Sequence, residues 1–218
     1  MRIETHKFTI EDNRAYLIKE ADHAILVDAP SEDLAEIVFN SGCILDYIFV
    51  THEHCDHLWG LNKLRSECHP IVIATKAASA AIGNSRTNRS SVHHIYITMK
   101  FGVEAAKNCT PDPKMVCERA DIEFNESMTI DWMGHQVCFY PSPGHSSGSG
   151  MMLIDDQHLF SGDTMLKGQP VFTMFETGDM EEYKNKTLPL IKSFSSELRV
   201  YPGHGEGFLL RDYKLEKG

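Results

Sequence analysis

The stretch THEHCDH, residues 51–57, holds three histidines, one aspartate, one glutamate and one cysteine within seven residues. It follows an almost wholly apolar run, typical of a buried strand. In an extended segment, His52 and His54 are two residues apart, so their side chains can project to the same side and converge on one ion. Asp56 and His57 stand where the next helix should begin, and can face a second position beside the first. The spacing HxHxDH therefore predicts a metal site rather than an ordinary polar loop.

Three further segments carry a histidine or an aspartate directly after a predicted strand: SPGHSSGS with His145, FSGDT with Asp163, and YPGHGEG with His204. Glycines beside these residues permit tight turns and a close approach of the backbone to a metal or ligand. One such segment alone could be a plain turn, but three of them together with HxHxDH argue against coincidence. Imidazole and carboxylate donors suit zinc, and also iron or manganese; zinc is the ion we favour.

Strands and helices alternate in the first third of the chain. Strands are predicted for RAYLIK (14–19), AILVDAP (24–30), ILDYIFV (44–50) and PIVIAT (70–75). A helix is expected after Ser31 as N-cap, ending at Gly42, and another is marked by Leu58, Leu61 and Leu64. This alternation predicts an α/β layered sheet.

The second half returns to strands. TIDWMGHQVCFY predicts a hairpin around Gly134, GMMLIDDQHLFSGD predicts two strands joined at Asp155 and Asp156, and LRVYPGHG predicts one more. Between them a helix should start near Asp179, and Pro189 should kink or end it.

The bulk composition excludes several classes of protein. The chain has 218 residues, 42% of them hydrophobic, a net charge of −10 and no run of apolar residues long enough for a membrane span. The negative charge disfavours nucleic acid as a partner, because phosphate binding requires a basic surface. No signal-peptide core is present near the start, and the cysteines lack the spacing of a disulfide framework. We therefore expect a cytoplasmic protein with a small-molecule substrate and no membrane or nucleic-acid partner; its oligomeric state is left open.

The middle of the chain, residues 76–119, has no clear period and reads as an irregular basic insertion or lid. It contains seven basic and three acidic side chains, a net charge of +4 in an acidic protein. Arg86 and Arg89 are candidates for contact with an anionic substrate, although a solvated excursion is the alternative. Tyr96 in the same segment could line a pocket or belong to the core, as could Met99 and Phe101.

The order HxHxDH, then histidine, aspartate and histidine at later strand ends, resembles the metallo-β-lactamase superfamily. Within it, the wording THEHCDH, SPGHSSGS, SGDT and YPGHGEG is most similar to the glyoxalase II branch, the hydroxyacylglutathione hydrolases. The resemblance implies an αββα sandwich of two mixed β-sheets with helices on the outer faces, formed by a single domain over residues 1–218. Because the chain ends soon after His204, the C-terminal helical domain of that branch is expected to be absent.

The resemblance also implies a site for two divalent ions at one edge of the two sheets. Each ion would have its own set of ligands, with one shared carboxylate. The first ion would be held by His52, His54 and His145, the second by Asp56, His57 and His204, and both by Asp163. Cys55 and Glu53 are interpreted as supporting or packing residues.

A dinuclear site of this kind implies a hydrolase. Two cations about 3.5–4 Å apart can share a hydroxide, lower its pKa towards neutrality and polarise the oxygen of an electrophile. Asp56 and Asp163 would then act in catalysis by orienting that nucleophile. Because a thiolate can leave without a proton, we expect a small anionic thioester or ester as substrate.

Other activities use related sites. A lactonase or a phosphodiesterase would use the same metal-activated nucleophile. A mononuclear iron oxygenase resembling persulfide dioxygenase shares the fold and several ligands, but MLKGQPVFTMFETGD after Asp163 lacks the stretch associated with that branch. A non-catalytic sensor is disfavoured because all seven ligand positions are filled.

Overall fold

The computed structural model describes residues 1–8 and 11–213, and its backbone forms two β-sheets. The strands of the first sheet lie side by side in chain order, and those from β3 onward run parallel to one another. They are β1 (Arg2–Phe8), β2 (Asn13–Glu20), β3 (His23–Val27), β4 (Ile44–Phe49), β5 (Ile71–Thr75) and β6 (Ile122–Phe124).

The second sheet has the spatial order β12-β11-β10-β9-β8-β7. Its strands are β7 (Met128–Trp132), β8 (His135–Pro141), β9 (Gly150–Ile154), β10 (His158–Gly162), β11 (Arg199–Pro202) and β12 (Phe208–Leu209). β10 and β11 are parallel, and the other neighbours are antiparallel. Both sheets are therefore mixed, as the resemblance implied.

Alternating side chains of the strands build separate apolar layers. On β2, Leu17 faces the helices on the outer side of the first sheet, while Tyr16 and Ile18 face the second sheet. On β9, Met152 packs between the sheets, and Leu153 packs against the helices on the opposite outer face. Strands that are apolar at successive positions are thus buried on both faces.

Helices cover both outer faces. The first sheet is covered by α1 (Leu34–Ser41), α2 (Leu61–Cys68) and α3 (Lys76–Ala81). The second is covered by α6 (Met180–Glu182), a π-helical turn (Tyr183–Thr187) and α7 (Leu188–Ser193). The layer order is therefore helix, sheet, sheet, helix, which confirms the αββα sandwich.

Two details of α1 and α2 differ from the sequence expectation. The N-cap of α1 is Asp33 rather than Ser31, whose hydroxyl instead accepts a hydrogen bond from the Asp33 N–H at 3.2 Å. Leu58 precedes α2 and closes a short 3₁₀ helix, Cys55–His57. Gly42 does end α1, with a left-handed φ of 71°.

The expectation of an irregular segment over residues 76–119 is wrong, because much of it is helical. Besides α3 it contains α4 (Ser90–Phe101) and α5 (Val103–Cys109). The period of α4 was obscured because Ile95 and Met99 are exposed, while the polar Ser90 and His93 are buried.

The helix expected from Asp179 is present. The Asp179 carboxylate accepts hydrogen bonds from the backbone N–H groups of Glu181 and Glu182, at 2.8 and 3.1 Å. Pro189 does not end the helical run, which continues to Ser193; it lies in the first turn of α7, where a proline is tolerated, directly after the π-helical turn. Across residues 1–8 and 11–213, no helix has the length and apolar character needed to cross a bilayer.

Candidate metal centre

Four strand ends bring the candidate residues to one edge of the sandwich. The stretch 51–57 follows β4 of the first sheet, and His145, Asp163 and His204 follow β8, β10 and β11 of the second. β8 and β10 run in the same direction because each is antiparallel to β9, and β11 is parallel to β10. Their carboxyl ends therefore meet at the same edge, beside the loop that leaves β4.

The first group of side chains is a triad of histidines. The Nδ1 atom of His54 lies 3.1 Å from Nε2 of His52 and 3.2 Å from Nε2 of His145. All three side chains are buried. Their ring nitrogens converge on one point and can hold a metal ion.

The second group adjoins the first. The Nε2 atoms of His57 and His204 are 3.3 Å apart. The Oδ2 atom of Asp56 lies 3.7 Å from His57 Nε2 and 3.5 Å from His204 Nε2. These three side chains form a second set that can hold an ion.

Asp163 lies between the two groups. Its Oδ2 atom is 3.7 Å from His145 Nε2 and 3.3 Å from His204 Nε2, and its Oδ1 atom is 3.5 Å from His57 Nε2. One carboxylate therefore faces a histidine of the first set and two of the second.

The spacing of the donor atoms fits metal ions. Ligands bound tetrahedrally to one zinc ion at about 2.0–2.1 Å are about 3.3 Å from each other. The nitrogen pairs His52–His54 and His54–His145, at 3.1 and 3.2 Å, agree with that value. Asp163 Oδ1 is buried without a hydrogen bond among the described residues, so it too has capacity for a cation.

Hydrogen bonds on the far side of the rings fix their orientation. His57 Nδ1 lies 2.8 Å from Asp28 Oδ2, His145 Nδ1 lies 2.8 Å from the Phe172 carbonyl, and His204 Nδ1 lies 2.9 Å from the Glu11 carbonyl. Each of these acceptors requires a proton on Nδ1, which leaves the lone pair of Nε2 to face the centre.

Burial and charge divide the site into two electrostatic halves. Burial lowers the pKa of His52 and His54 well below the usual value, so both rings are neutral and can donate lone pairs. Burial also opposes the charge of His57, but the Asp28 carboxylate and its neighbours raise the pKa of His57 to about 9. A divalent ion bound there would compete with that proton.

The two carboxylates remain ionised. Burial alone would raise the pKa of Asp163, yet the imidazoles of His204 and His57 outweigh it and hold that pKa well below its usual value. The same balance, with His57 as the main partner, lowers the pKa of Asp56. The edge thus presents two negative oxygen ligands beside the two neutral histidines, His52 and His54.

Two supporting residues were missed by the sequence analysis. Asp28 accepts hydrogen bonds from the backbone N–H and the hydroxyl of Thr51, both at 2.8 Å, in addition to its contact with His57. Asn13 Nδ2 donates to Asp56 Oδ2 at 3.0 Å. Asp28 stands directly after β3 in AILVDAP, and that position at a strand end was a signal that could have found it.

Glu53 and Cys55 have the supporting and packing positions that we expected. The Glu53 carboxylate is fully buried and accepts hydrogen bonds from the hydroxyls of Ser146 at 2.8 Å and Thr177 at 3.0 Å. Cys55 is also fully buried, and burial raises the pKa of its thiol well above the usual value. Its Sγ atom nevertheless forms a further potential metal-holding group with Asp56 and His93.

A cavity of about 440 Å³ opens onto the centre. One wall is formed by α4 and the residue before it, which contribute Arg89, His93, Tyr96 and Lys100 at intervals of four, three and four residues. Two phenylalanines, Phe172 and Phe175, also line the cavity.

Only one of the two arginines that were candidates for contact with an anionic substrate lines the cavity. Arg89 lines it, whereas Arg86 is exposed and pairs with Glu176 at 3.3 Å. Tyr96 lines the cavity as well, but Met99 is 84% exposed and belongs to neither cavity nor core.

Relatives of known description share a modest identity with the chain. A β-lactamase-like protein 2 homologue of Drosophila melanogaster is 26% identical over 205 residues, which are 90% of this chain and 60% of the relative. The hydroxyacylglutathione hydrolase of Methylobacillus flagellatus is 25% identical over 195 residues, 89% of this chain and 62% of the relative. The chain thus spans about 60% of the length of these two relatives.

Solved structures share the fold. The BLEG-1 B3 metallo-β-lactamase superposes with a TM-score of 0.78 at 19% identity, covering 97% of this chain and 95% of that one. ETHE1 from Myxococcus xanthus superposes with a TM-score of 0.71 at 20% identity, covering 97% and 81%.

The family model of the metallo-β-lactamase superfamily matches residues 10–204. This range contains all seven candidate ligands and ends at His204. That range includes both sheets from β2 to β11. The chain therefore belongs to the metallo-β-lactamase superfamily.

Proposed function

We propose that the protein is a metal-dependent hydrolase that cleaves the thioester or ester bond of a small anionic substrate. Two divalent ions would occupy the edge of the sandwich, and zinc is the ion that we favour. The first ion would be held by His52, His54 and His145, and the second ion by Asp56, His57 and His204. Asp163 would bind both ions. The observation that carries the proposal is the position of Asp163, whose two oxygens lie 3.3–3.7 Å from histidines of both groups.

Such a pair of ions would supply a water nucleophile that is activated near neutral pH and a Lewis acid for the carbonyl oxygen. The chain's own residues would orient the reactants. Asp56 and Asp163 present carboxylate oxygens to the space between the histidine groups, where they can accept a proton of the attacking water and fix its direction. Asn13, bonded to Asp56 Oδ2 at 3.0 Å, holds that carboxylate in place.

The ease with which a thiolate leaves, compared with an amide nitrogen, favours a thioester as the substrate. An amide nitrogen must be protonated before it leaves, whereas a thiolate, whose thiol has a pKa of about 8.5, need not be. His93 lines the cavity, but its ring lies 3.4 Å from the Glu11 carboxylate and is engaged there. The similarity to hydroxyacylglutathione hydrolases, at modest identity, supports the same choice.

The first experiment is elemental analysis of the purified protein for zinc, iron and manganese, beside the same analysis of Asp163→Ala. We expect two equivalents of metal per chain, and fewer in the variant, because the variant lacks the carboxylate shared by both ions. The metal-loaded protein is then assayed with a thioester, an ester, a lactone, a phosphodiester and an amide. Fast cleavage of the amide with an inert thioester would contradict the proposal.

One iron per chain would instead favour the mononuclear iron oxygenase. Its support is the likeness of fold to ETHE1, with a TM-score of 0.71. A lactonase or phosphodiesterase would keep both ions and differ only in the preferred substrate of the panel. The proposal also includes a cytoplasmic location, supported by the unpaired thiols of Cys43, Cys55, Cys68, Cys117 and Cys138.

A further inference from the structure

Arg89 is placed at the mouth of the metal centre by an unusual backbone conformation. Its φ is +67°, in the left-handed region that residues other than glycine, asparagine and aspartate seldom adopt. The carbonyl of the preceding residue, Asn88, accepts a hydrogen bond from the Cys55 N–H at 2.8 Å. Because Cys55 stands between His54 and Asp56, this bond fixes the start of α4 directly to the metal-binding loop.

The guanidinium of Arg89 is held by an aromatic ring. Its central carbon lies 3.7 Å from the ring centroid of Phe175. Phe175 in turn packs against His54, with ring centroids 5.0 Å apart and an edge-to-face angle of 88°. One face of the guanidinium is thus occupied, while its N–H donors, which lie in the guanidinium plane, stay available.

Among the described residues, Arg89 has no partner of opposite charge. Within the part of the chain that the structure describes, no carboxylate lies within ion-pair distance of its guanidinium. Arg86, three residues earlier, has Glu176 as a partner at 3.3 Å. Lys100, further along the same wall, donates to the Tyr96 hydroxyl at 2.7 Å. An unpaired and oriented guanidinium beside the metal centre is a binding group for a planar anion.

We propose that Arg89 selects the substrate by binding a carboxylate of it, while the scissile carbonyl lies at the metal centre. This inference rests on the proposed function and adds the substrate class: thioesters or esters that carry a carboxylate in the acyl or the thiol part. Phe172 and Phe175, which line the same cavity, would contact the carbon chain between the two groups. Two parallel N–H···O bonds from one guanidinium fit a carboxylate better than they fit a neutral amide.

The test compares matched substrates on the zinc-loaded protein. One pair carries the charge on the acyl side: the succinyl and succinamyl thioesters of N-acetylcysteamine. The other pair carries it on the thiol side: the acetyl thioesters of mercaptopropionate and mercaptopropionamide. In Arg89→Ala, kcat/KM for the carboxylate member of at least one pair should fall about 10- to 100-fold, with little change for the amide members. The pair that responds identifies the side of the substrate that carries the anion.

Arg86→Ala is the matched control, because it removes an equal charge outside the cavity, and it should behave as the wild-type protein. Arg89→Lys keeps the charge but not the paired donors, and should recover only part of the preference. If Arg89→Ala slowed the charged and neutral members equally, or matched Arg86→Ala, the inference would be overturned.

A binding measurement keeps the inference separate from the proposed hydrolysis. By calorimetry on the zinc-loaded protein, succinate should bind the wild-type chain at least about tenfold more tightly than succinamate, and this difference should vanish in Arg89→Ala. Equal affinities of the wild-type chain for both would refute the assignment of Arg89. If the wild-type chain hydrolysed no thioester or ester, the proposed function would fail, while this comparison would still decide the role of Arg89.

Discussion

The Asp28 carboxylate lies 2.8 Å from Nδ1 of His57, and the same carboxylate accepts the backbone N–H and the hydroxyl of Thr51. Asp28 directly follows β3, whereas Thr51 and His57 begin and end the THEHCDH stretch after β4. A single buried side chain thus fixes both ends of the metal-binding loop. It also sets the tautomer of His57 that presents Nε2 to the centre.

Asp28→Asn should weaken the binding of one metal ion. The amide nitrogen cannot accept the His57 proton, so the ring loses the partner that orients it and makes it a better donor. Loss of such a partner usually lowers metal affinity about 10- to 100-fold. Competition with a coloured zinc chelator would measure the change.

Asp46→Asn is the control for Asp28→Asn. Asp46 contacts His23 Nδ1 at 2.9 Å and accepts the Trp132 Nε1–H at 2.8 Å, so it has the same kind of aspartate–histidine contact away from the metal centre. Its substitution should leave zinc affinity unchanged. Equal zinc affinity in both variants would show that Asp28 does not support the metal centre.

The sequence was informative about the site because the candidate ligands stand at strand ends within short, recognisable motifs. The contacts of Asp28 and Asn13 could not be assigned in the same way, although Asp28 also stands at a strand end. Each residue stands alone in its segment, and its contact with the loop after β4 spans 23 to 43 residues of sequence. A contact of that kind depends on strand order, which composition and period do not specify.

The helix α4 escaped prediction for a different reason. Its N-cap, Arg89, has a left-handed φ and offers no side-chain cap, so the usual start signal is missing. Its apolar residues Val92, Ile95 and Met99 face outward, and Ile97 is the large apolar residue that it buries. A helix whose inner face lines a cavity carries polar residues there, which hides its period.

Glu53→Ala should destabilise the fold. The substitution leaves the hydroxyls of Ser146 and Thr177 without their buried acceptor, and we expect the free energy of unfolding to fall by about 2–4 kcal/mol. Urea denaturation of the protein in the presence of a chelator would measure this loss of stability without a contribution from bound metal.

Glu53→Gln keeps the volume of the side chain and one acceptor, and should lower the free energy of unfolding by less than Glu53→Ala does. Glu67→Ala, at an exposed helical position, should lie within about 0.5 kcal/mol of the wild type, and a similar value for Glu53→Ala would contradict the prediction.

Removal of metal should lower the thermal stability of the protein. An ion that binds only the folded chain stabilises it by about 2.7 kcal/mol when its free concentration is 100 times Kd. For a chain of this size, that corresponds to a rise in Tm of roughly 5–10 °C for one site. Calorimetric scans of dialysed protein, with chelator and with added zinc, would measure the shift. Asp163→Ala should respond less, and a wild-type Tm that does not respond to zinc would argue against a metal centre.

Gly203→Ala tests how closely the backbone approaches the shared carboxylate. A β-carbon at position 203 would overlap Asp163 Oδ1 and lie 2.8 Å from His57 Cε1, nearer than such atoms pack. The backbone at 203 has no left-handed φ, so alanine is excluded there by space rather than by conformation. The substitution should displace Asp163, so the variant should bind less metal, as measured by elemental analysis after gel filtration.

Gly83→Ala is the control, since its β-carbon would meet its nearest neighbour, the Cys117 carbonyl oxygen, at 3.7 Å, an ordinary contact. Full metal content in Gly203→Ala, in protein with unchanged circular dichroism, would mean that Asp163 can move without loss of the centre and does not bridge two ions.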